Sequence, residues 1–355
     1  MTKDIKVGTA SPEHIRSIPK VELHVHVEGA ATPSTLASLA KKNDVHLPVQ
    51  DPADLYVYEG LEDFISVYDL ICRCLVAAED FERVAYESLE LAHKAGVRYR
   101  EMFFSPTFAL RRGVSFATLW SGLLAGLDAA QKDFGIQCRF IMDVDKPSGP
   151  GPARELIELA LKYDRDYLIG IGGDAGEAGI DLSAFVDPFD FARKNGFKTT
   201  MHLSEEGPVA DIEVGVRQIG IDRVDHGFNL LDDMDLTQEV AERQIPVTVC
   251  PTSNVEIGLL EEMSAHPAPT MRRHGVLVSI NSDNAEMFRI DLADEFARVQ
   301  DAFGYGLDDL EDLSLAAVES SWLDETSKNE MNDQFIAQFL ELRSNMGQPA
   351  RDFGV

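Results

Sequence analysis

Short runs rich in β-branched and aromatic residues recur along the chain, bounded by turn residues and separated by stretches of helical periodicity. Eight such runs, at residues 20–27, 97–105, 137–145, 167–174, 197–204, 223–227, 245–251 and 276–282, predict strands. Helical patterns at 151–163, 188–195, 210–219, 235–243 and 269–274 stand between the later ones. Strand then helix, repeated, predicts a parallel sheet. Eight units predict a closed (β/α)8 TIM barrel of the α/β class rather than an open doubly wound sheet, because eight is the number at which this barrel closes.

Two regions fall outside that repeat. Helical patterns at 33–43, 61–75 and 80–95 lie between the first and second strands, and others at 291–303, 308–321 and 327–346 follow the eighth. No Pro/Gly/Ser-rich linker precedes either region. They predict helical decorations, an insertion at about 30–95 and C-terminal helices at about 290–346, on one domain spanning 1–355.

Charge narrows the partners. The 355 residues carry 32 Lys and Arg against 61 Asp and Glu, a formal net charge of −29. Such a surface repels phosphate backbones, which are bound through Lys and Arg. Nucleic acid and anionic membranes are therefore excluded as expected partners, and a small-molecule substrate is expected, with homo-oligomerisation left open. No apolar run reaches the ~18–20 residues that cross a bilayer, and residues 1–12 are polar without a secretory segment, which predicts a cytoplasmic protein. Cys72, Cys74, Cys138 and Cys250 are too scattered for a disulfide framework. Residues 283–325 hold thirteen acids against Arg289 and Arg298, which predicts a solvated helical face.

In such a barrel the reactive groups stand at the carboxyl ends of the strands. Four of the nine histidines, His24, His26, His202 and His226, fall on or just after predicted strands. In Val21-Glu22-Leu23-His24-Val25-His26-Val27-Glu28-Gly29, alternation turns both imidazoles to one face while Leu23, Val25 and Val27 pack on the other. A lone His-x-His pair also occurs as ordinary barrel lining. Here Met201-His202-Leu203-Ser204-Glu205, Val224-Asp225-His226-Gly227 and Ser279-Ile280-Asn281-Ser282-Asp283-Asn284 end other strands. Three imidazoles and a carboxylate from strands one, five and eight make a plausible Zn²⁺ shell with room for water. One His and one Glu remain beside it.

His24-Val25-His26-Val27-Glu28-Gly29, His202-Leu203-Ser204-Glu205, Asp225-His226-Gly227, Cys250-Pro251-Thr252-Ser253-Asn254 and Asn281-Ser282-Asp283, in this order, resemble the adenosine/adenine deaminase family of the amidohydrolase superfamily. The resemblance spans roughly residues 18–304. It implies a zinc-dependent barrel in which His24, His26, His202 and Asp283 hold one zinc ion per chain. Glu205 would protonate N1 of a 6-aminopurine, and His226 would orient and deprotonate the zinc-bound water. The Gly173 backbone N–H would meet N3, and Asn284 would contact N7. Zinc-bound hydroxide attacking C6 places charge on N1, where an acid stabilises it. Adenine or adenosine would become hypoxanthine or inosine, with release of ammonia.

Several positions depart from the adenosine deaminase pattern. His-Ala-Gly-Glu is here His202-Leu203-Ser204-Glu205, Asp-Asp-Pro is Asp283-Asn284-Ala285, and Gly-Asp-Glu is Gly173-Asp174-Ala175. Glu28 stands where adenosine deaminases commonly carry Asp for the ribose 5′-hydroxyl, and this longer carboxylate intrudes on ribose space. With Glu101-Met102-Phe103-Phe104 it resembles the adenine deaminase branch. Adenine is therefore the first expected substrate, ahead of adenosine and of a modified or larger 6-aminopurine; a non-catalytic purine-binding barrel is the weaker alternative. A dinuclear site would want a bridging carboxylate or a modified Lys at the end of strand four, and 167–174 contains no Lys, which favours one metal.

Overall fold

The computed structural model describes residues 8–354; residues 1–7 of the polar N-terminal stretch lie outside them. Among the described residues, eight strands run in parallel in the order of the sequence: β1 (Lys20–Glu22), β2 (Val97–Phe104), β3 (Gln137–Asp145), β4 (Leu168–Asp174), β5 (Lys198–Leu203), β6 (Arg223–His226), β7 (Val247–Val249) and β8 (Val278–Ile280). The sheet closes on itself beyond β1 and β8. His26 N–H donates to the Asp283 carbonyl at 2.9 Å, and Asp283 N–H donates to the His24 carbonyl at 3.1 Å. The (β/α)8 barrel expected from the spacing is the fold of the chain.

β1 is shorter than the expected 20–27. Its ladder stops at Glu22 because a side chain takes over as partner: Asn281 Oδ1 accepts from the N–H groups of Leu23, at 2.8 Å, and His24, at 3.2 Å. Pairing resumes as single bridges, Val25 with Asp283 and His26 with Phe103.

The flanking helices follow the predicted pattern within a few residues, Leu61–Arg73 and Ala78–Lys94 before β2 and Leu292–Phe303, Leu307–Ser320 and Glu325–Asn345 after β8. The helix Phe116–Phe134 has no counterpart among the expected ones. Its Gly122 and Gly126 interrupt the apolar stripe, yet a side chain at either would overlap the Ala78 or Glu82 carbonyl, so these glycines let two helices touch. None of the described helices is long and apolar enough to cross a membrane.

The acidic run at 283–325 is not one solvated face. Asp283, Asp291, Glu295 and Glu311 are buried. Each has a partner that offsets the loss of water. Glu295 accepts from the Thr252 N–H at 2.8 Å, Arg343 donates to Glu311 at 2.7 Å, and Arg16 pairs with Asp291 at 2.5 Å.

Candidate active site

At the carboxyl ends of four strands a residue other than glycine takes a left-handed backbone: Ala175 (φ 68°), Ser204 (φ 56°), His226 (φ 61°) and Asp283 (φ 61°). This conformation crowds a Cβ and is held against its own preference. It turns the chain out of β4, β5, β6 and β8 so that neighbouring side chains aim at one point.

Three imidazoles meet there, and the partners of two of them fix where a proton sits. Thr248 Oγ1 donates to Asp225 Oδ1 at 2.7 Å, so toward His24 Nδ1, 3.1 Å away, it can only accept. His24 therefore carries a proton on Nδ1 and leaves Nε2 to the cluster. His202 Nδ1 lies 3.2 Å from the Gly173 carbonyl, which also can only accept. His26 Nδ1 faces Asp143 Oδ2 at 3.7 Å, beyond hydrogen-bond reach, and has no partner that fixes its proton. Ring nitrogens of the three histidines lie within 4.8 Å of one another.

The fourth member is Asp283. Its Oδ1 lies 3.6 Å from His24 Nε2 and 3.5 Å from His26 Nε2, while Oδ2 accepts from Ser253 Oγ at 2.7 Å. His26 Nε2 and His202 Nε2 stand 3.1 Å apart. Four ligands at about 2.0–2.1 Å around a tetrahedral centre would sit about 3.3 Å from one another, so these atoms have the spacing and the chemistry of a divalent metal site. Burial pushes His26 down to about 4 and His202 well below its usual value, which keeps their lone pairs free. Burial works the same way on His24, but Asp225 and Asp283 outweigh it and push His24 up to about 9. A pair of carboxylates that favours positive charge on this ring favours a cation beside it.

Glu205 and His226 flank the cluster. Burial, with Asp283 and Glu177 close by, raises the Glu205 carboxyl to about 8, so it is protonated at neutral pH. Burial and the nearby His24 lower His226 to about 3, leaving it a neutral base. The two lie 3.6 Å apart, from His226 Nδ1 to Glu205 Oε1.

A cavity with about 80 Å³ of free volume opens over these groups. That is several times what one water needs, and it admits an organic molecule. Leu61, Phe64, Ile65, Tyr68 and Phe108 roof it, and His26, His202, Glu205, His226, Asp283 and Asn284 form the floor.

The remaining expected contacts stand differently. Glu28 is buried outside the lining with both oxygens occupied, Oε1 by the Ser105 N–H and Oε2 by the Tyr68 hydroxyl, each at 3.0 Å. Gly173 is outside the lining too, and its carbonyl is the acceptor that orients His202. Asn284 reaches the cavity, but its amide donates to Asp283 Oδ1 at 2.7 Å. Its Oδ1 packs where a side chain on Gly29 would be, which requires glycine at 29.

Sequence reasoning passed over Asp225, Thr248 and Ser253, which hold His24 and Asp283 in place, and Asp143, which faces His26. Asp225 and Ser253 lie inside the motifs given above, and Asp143 directly follows the apolar run Phe140-Ile141-Met142; Thr248 carries no signal of its own.

A family model described as adenosine deaminase matches residues 19–338. Over 330 residues the chain is 32% identical to an adenine deaminase of Vibrio parahaemolyticus, covering 91% of this chain and 98% of that relative. It is 31% identical over 347 residues to an adenine deaminase of Schizosaccharomyces pombe, covering 94% and 95%. The crystal structure of an adenine deaminase from Arthrobacter aurescens superposes with a TM-score of 0.86 at 28% identity, over 90% of this chain and 98% of that one. An amidohydrolase from Burkholderia ambifaria with bound zinc superposes with a TM-score of 0.90 at 27% identity, over 98% and 97%.

Proposed function

The chain belongs to the adenosine deaminase family of aminohydrolases, and from that premise we propose that it hydrolyses a 6-aminopurine, adenine foremost, to the 6-oxopurine and ammonia with one zinc ion per chain. The observation that carries the reading is the gathering of three imidazoles and Asp283 Oδ1 beneath the cavity, with His24 and His202 each facing an acceptor at Nδ1 so that Nε2 is left to the cluster. His24, His26, His202 and Asp283 would hold the ion. Zinc bound there supplies Lewis acidity that lowers the pKa of water toward neutrality.

The chain's own residues do the rest. As a water oxygen bonds to C6, the ring loses aromaticity and negative charge gathers on N1. Glu205, protonated at neutral pH, gives its proton to that nitrogen. His226, neutral at the same pH, takes a proton from the attacking water and passes it to the departing amine. The C6–N bond breaks, ammonia leaves, the new C6 hydroxyl returns its proton to the Glu205 carboxylate, and the 6-oxopurine remains. Phe64, Tyr68 and Phe108 give the cavity an apolar wall, against which each of these interactions is stronger than in open water.

Three observations favour the free base over a nucleoside or nucleotide. The named relatives above 30% identity are adenine deaminases. Glu28 has no oxygen free for a ribose hydroxyl. No Lys or Arg stands among the residues that line the cavity, so a 5′-phosphate would find no cation there.

The test is to supply the zinc-loaded protein with adenine, adenosine, AMP and N6-methyladenine and to follow ammonia and the ultraviolet spectrum. Turnover of adenine ahead of the others is expected. Failure on all four would end the deaminase reading.

A further inference from the structure

Two carboxylates of the cavity wall are each anchored by one oxygen and left with the other. Asp174 closes β4, and Ser105 Oγ donates to its Oδ2 at 2.6 Å. Glu177 lies three residues on, and its Oε2 accepts the N–H groups of Glu206 and Gly207 at 3.0 and 2.7 Å. Asp174 Oδ1 and Glu177 Oε1 are buried without a hydrogen-bond donor, although both residues line the cavity. The nearby cation is Lys146, 3.8 Å from Glu177 Oε1, and it donates to the His202 carbonyl at 2.7 Å.

Asp174 has no work in the chemistry above, and Glu177 enters it only as a neighbour of Glu205, not as a group that touches the purine. Glu205 serves N1, His226 serves water and amine, and the ligand cluster is complete without them. A buried acceptor left unpaired costs more than its bond would contribute. What fills the cavity is thus required to bring a donor to this wall. A 6-aminopurine has few to offer. Its exocyclic amine is the leaving group, and the remaining donor is the ring N–H at N9, or at N7 in the other tautomer. A nucleoside has lost that hydrogen to its sugar.

We infer that Asp174 and Glu177 read the ring N–H of the free base and are the specificity-determining groups of this pocket. The inference rests on the deaminase reading and adds to it the edge of the substrate that is recognised. A site built to accept an N–H rejects the analogue without it strongly, because the acceptor stays buried and unpaired.

The test measures equilibrium binding by calorimetry on zinc-loaded Glu205→Gln protein, in which turnover is slow, with adenine, 9-methyladenine and 7-methyladenine as probes. Methylation at the recognised nitrogen is expected to weaken binding on the order of a hundredfold. Adding Glu177→Gln, or separately Asp174→Asn, is expected to shrink that gap below tenfold, since an amide can turn a donor toward the ring; unchanged zinc content and melting temperature show that the variants are folded. Equal binding of all three purines, or a gap that persists in both variants as a purely steric one would, overturns the inference. So does a second zinc ion per chain that Asp174→Asn removes, which would make this wall a metal site. If the binding pattern holds while wild-type protein releases no ammonia from adenine, the deaminase reading fails and the recognition stands.

Discussion

His26 Nε2 and His202 Nε2 stand 3.1 Å apart. His202 Nδ1 lies 3.2 Å from the Gly173 carbonyl, which can only accept, so His202 carries a proton there and offers Nε2 as an acceptor. His26 Nδ1 has no hydrogen-bond partner, so its proton is free to sit on Nε2 and bridge the two rings. A cation that binds both nitrogens takes the place of that shared proton.

The metal affinity should therefore depend on groups that never touch it. Thr248→Val removes the acceptor of the His24 Nδ1 proton and frees that ring to change tautomer. We expect zinc affinity, measured by competition with a chelator, to fall about 10–100-fold, whereas His24→Ala should lose the ion altogether. A Thr248→Val protein that holds zinc as tightly as the wild type would show that the relay to Asp225 is idle.

Glu205→Gln should keep zinc bound and lose on the order of 10²–10⁴ in kcat. The acid form is the active one, and its pKa is raised to about 8, so activity is present below that value and declines as pH rises through it. A bound dication favours the ionised carboxylate and moves this limb to lower pH, not higher. A kcat/KM for adenine that stays flat from pH 7 to 10 would remove Glu205 from the role.

Gly29→Ala should act at a distance of one residue layer. The new methyl overlaps Asn284 Oδ1 and forces the amide off Asp283. About 1–3 kcal/mol of stability should be lost to overpacking, together with a rise in KM. Denaturant titration and steady-state kinetics read the two effects; a variant indistinguishable in both refutes the contact.

His266 offers a test of stability against pH. Burial lowers it to about 3, below the ~6.5 of an unfolded histidine. The fold holds the neutral ring, with Nε2 3.1 Å from Asn254 Oδ1 and Nδ1 accepting the Ala268 N–H at 3.1 Å. Its contribution is complete above pH 6.5 and lost as pH falls from there toward 3, about 2 kcal/mol by pH 5. The stability of a His266→Gln variant should fall less steeply over that interval. Parallel curves for variant and wild type would contradict the assignment.

What the sequence revealed and what it hid have physical reasons. Strand alternation placed His24 and His26 on one face, and the carboxyl-end rule picked out His202, His226 and Asp283. The supporting groups come from strand register. His202 pairs with Asp225, and Asp225 with Thr248, so three strands bring side by side residues that share no local pattern. The interruption of β1 was hidden because its partner is the Asn281 side chain rather than a backbone. Gly122 and Gly126 disguised the helix Phe116–Phe134, since glycine in a helix interior reads as a break until the neighbouring helix is known. The acidic run misled for a similar reason: charge counts cannot see that Arg343 and Arg16 wait elsewhere in the chain.

The barrel is fastened at the same place that gathers the ligands. Asp283 donates its N–H to the His24 carbonyl and receives that of His26, so the stave that comes last from the ribosome locks onto the one that came first. Synthesis must reach beyond β8 before these side chains can surround anything, and the pairing carries the loop-closure cost of nearly the whole barrel. An ion meeting the nascent chain finds only a pair of histidines. Loading belongs to the end of folding, and the ion then acts as a rivet: stripping it with a chelator should quicken hydrogen exchange at the His26 and Asp283 amides before it reaches the strands opposite.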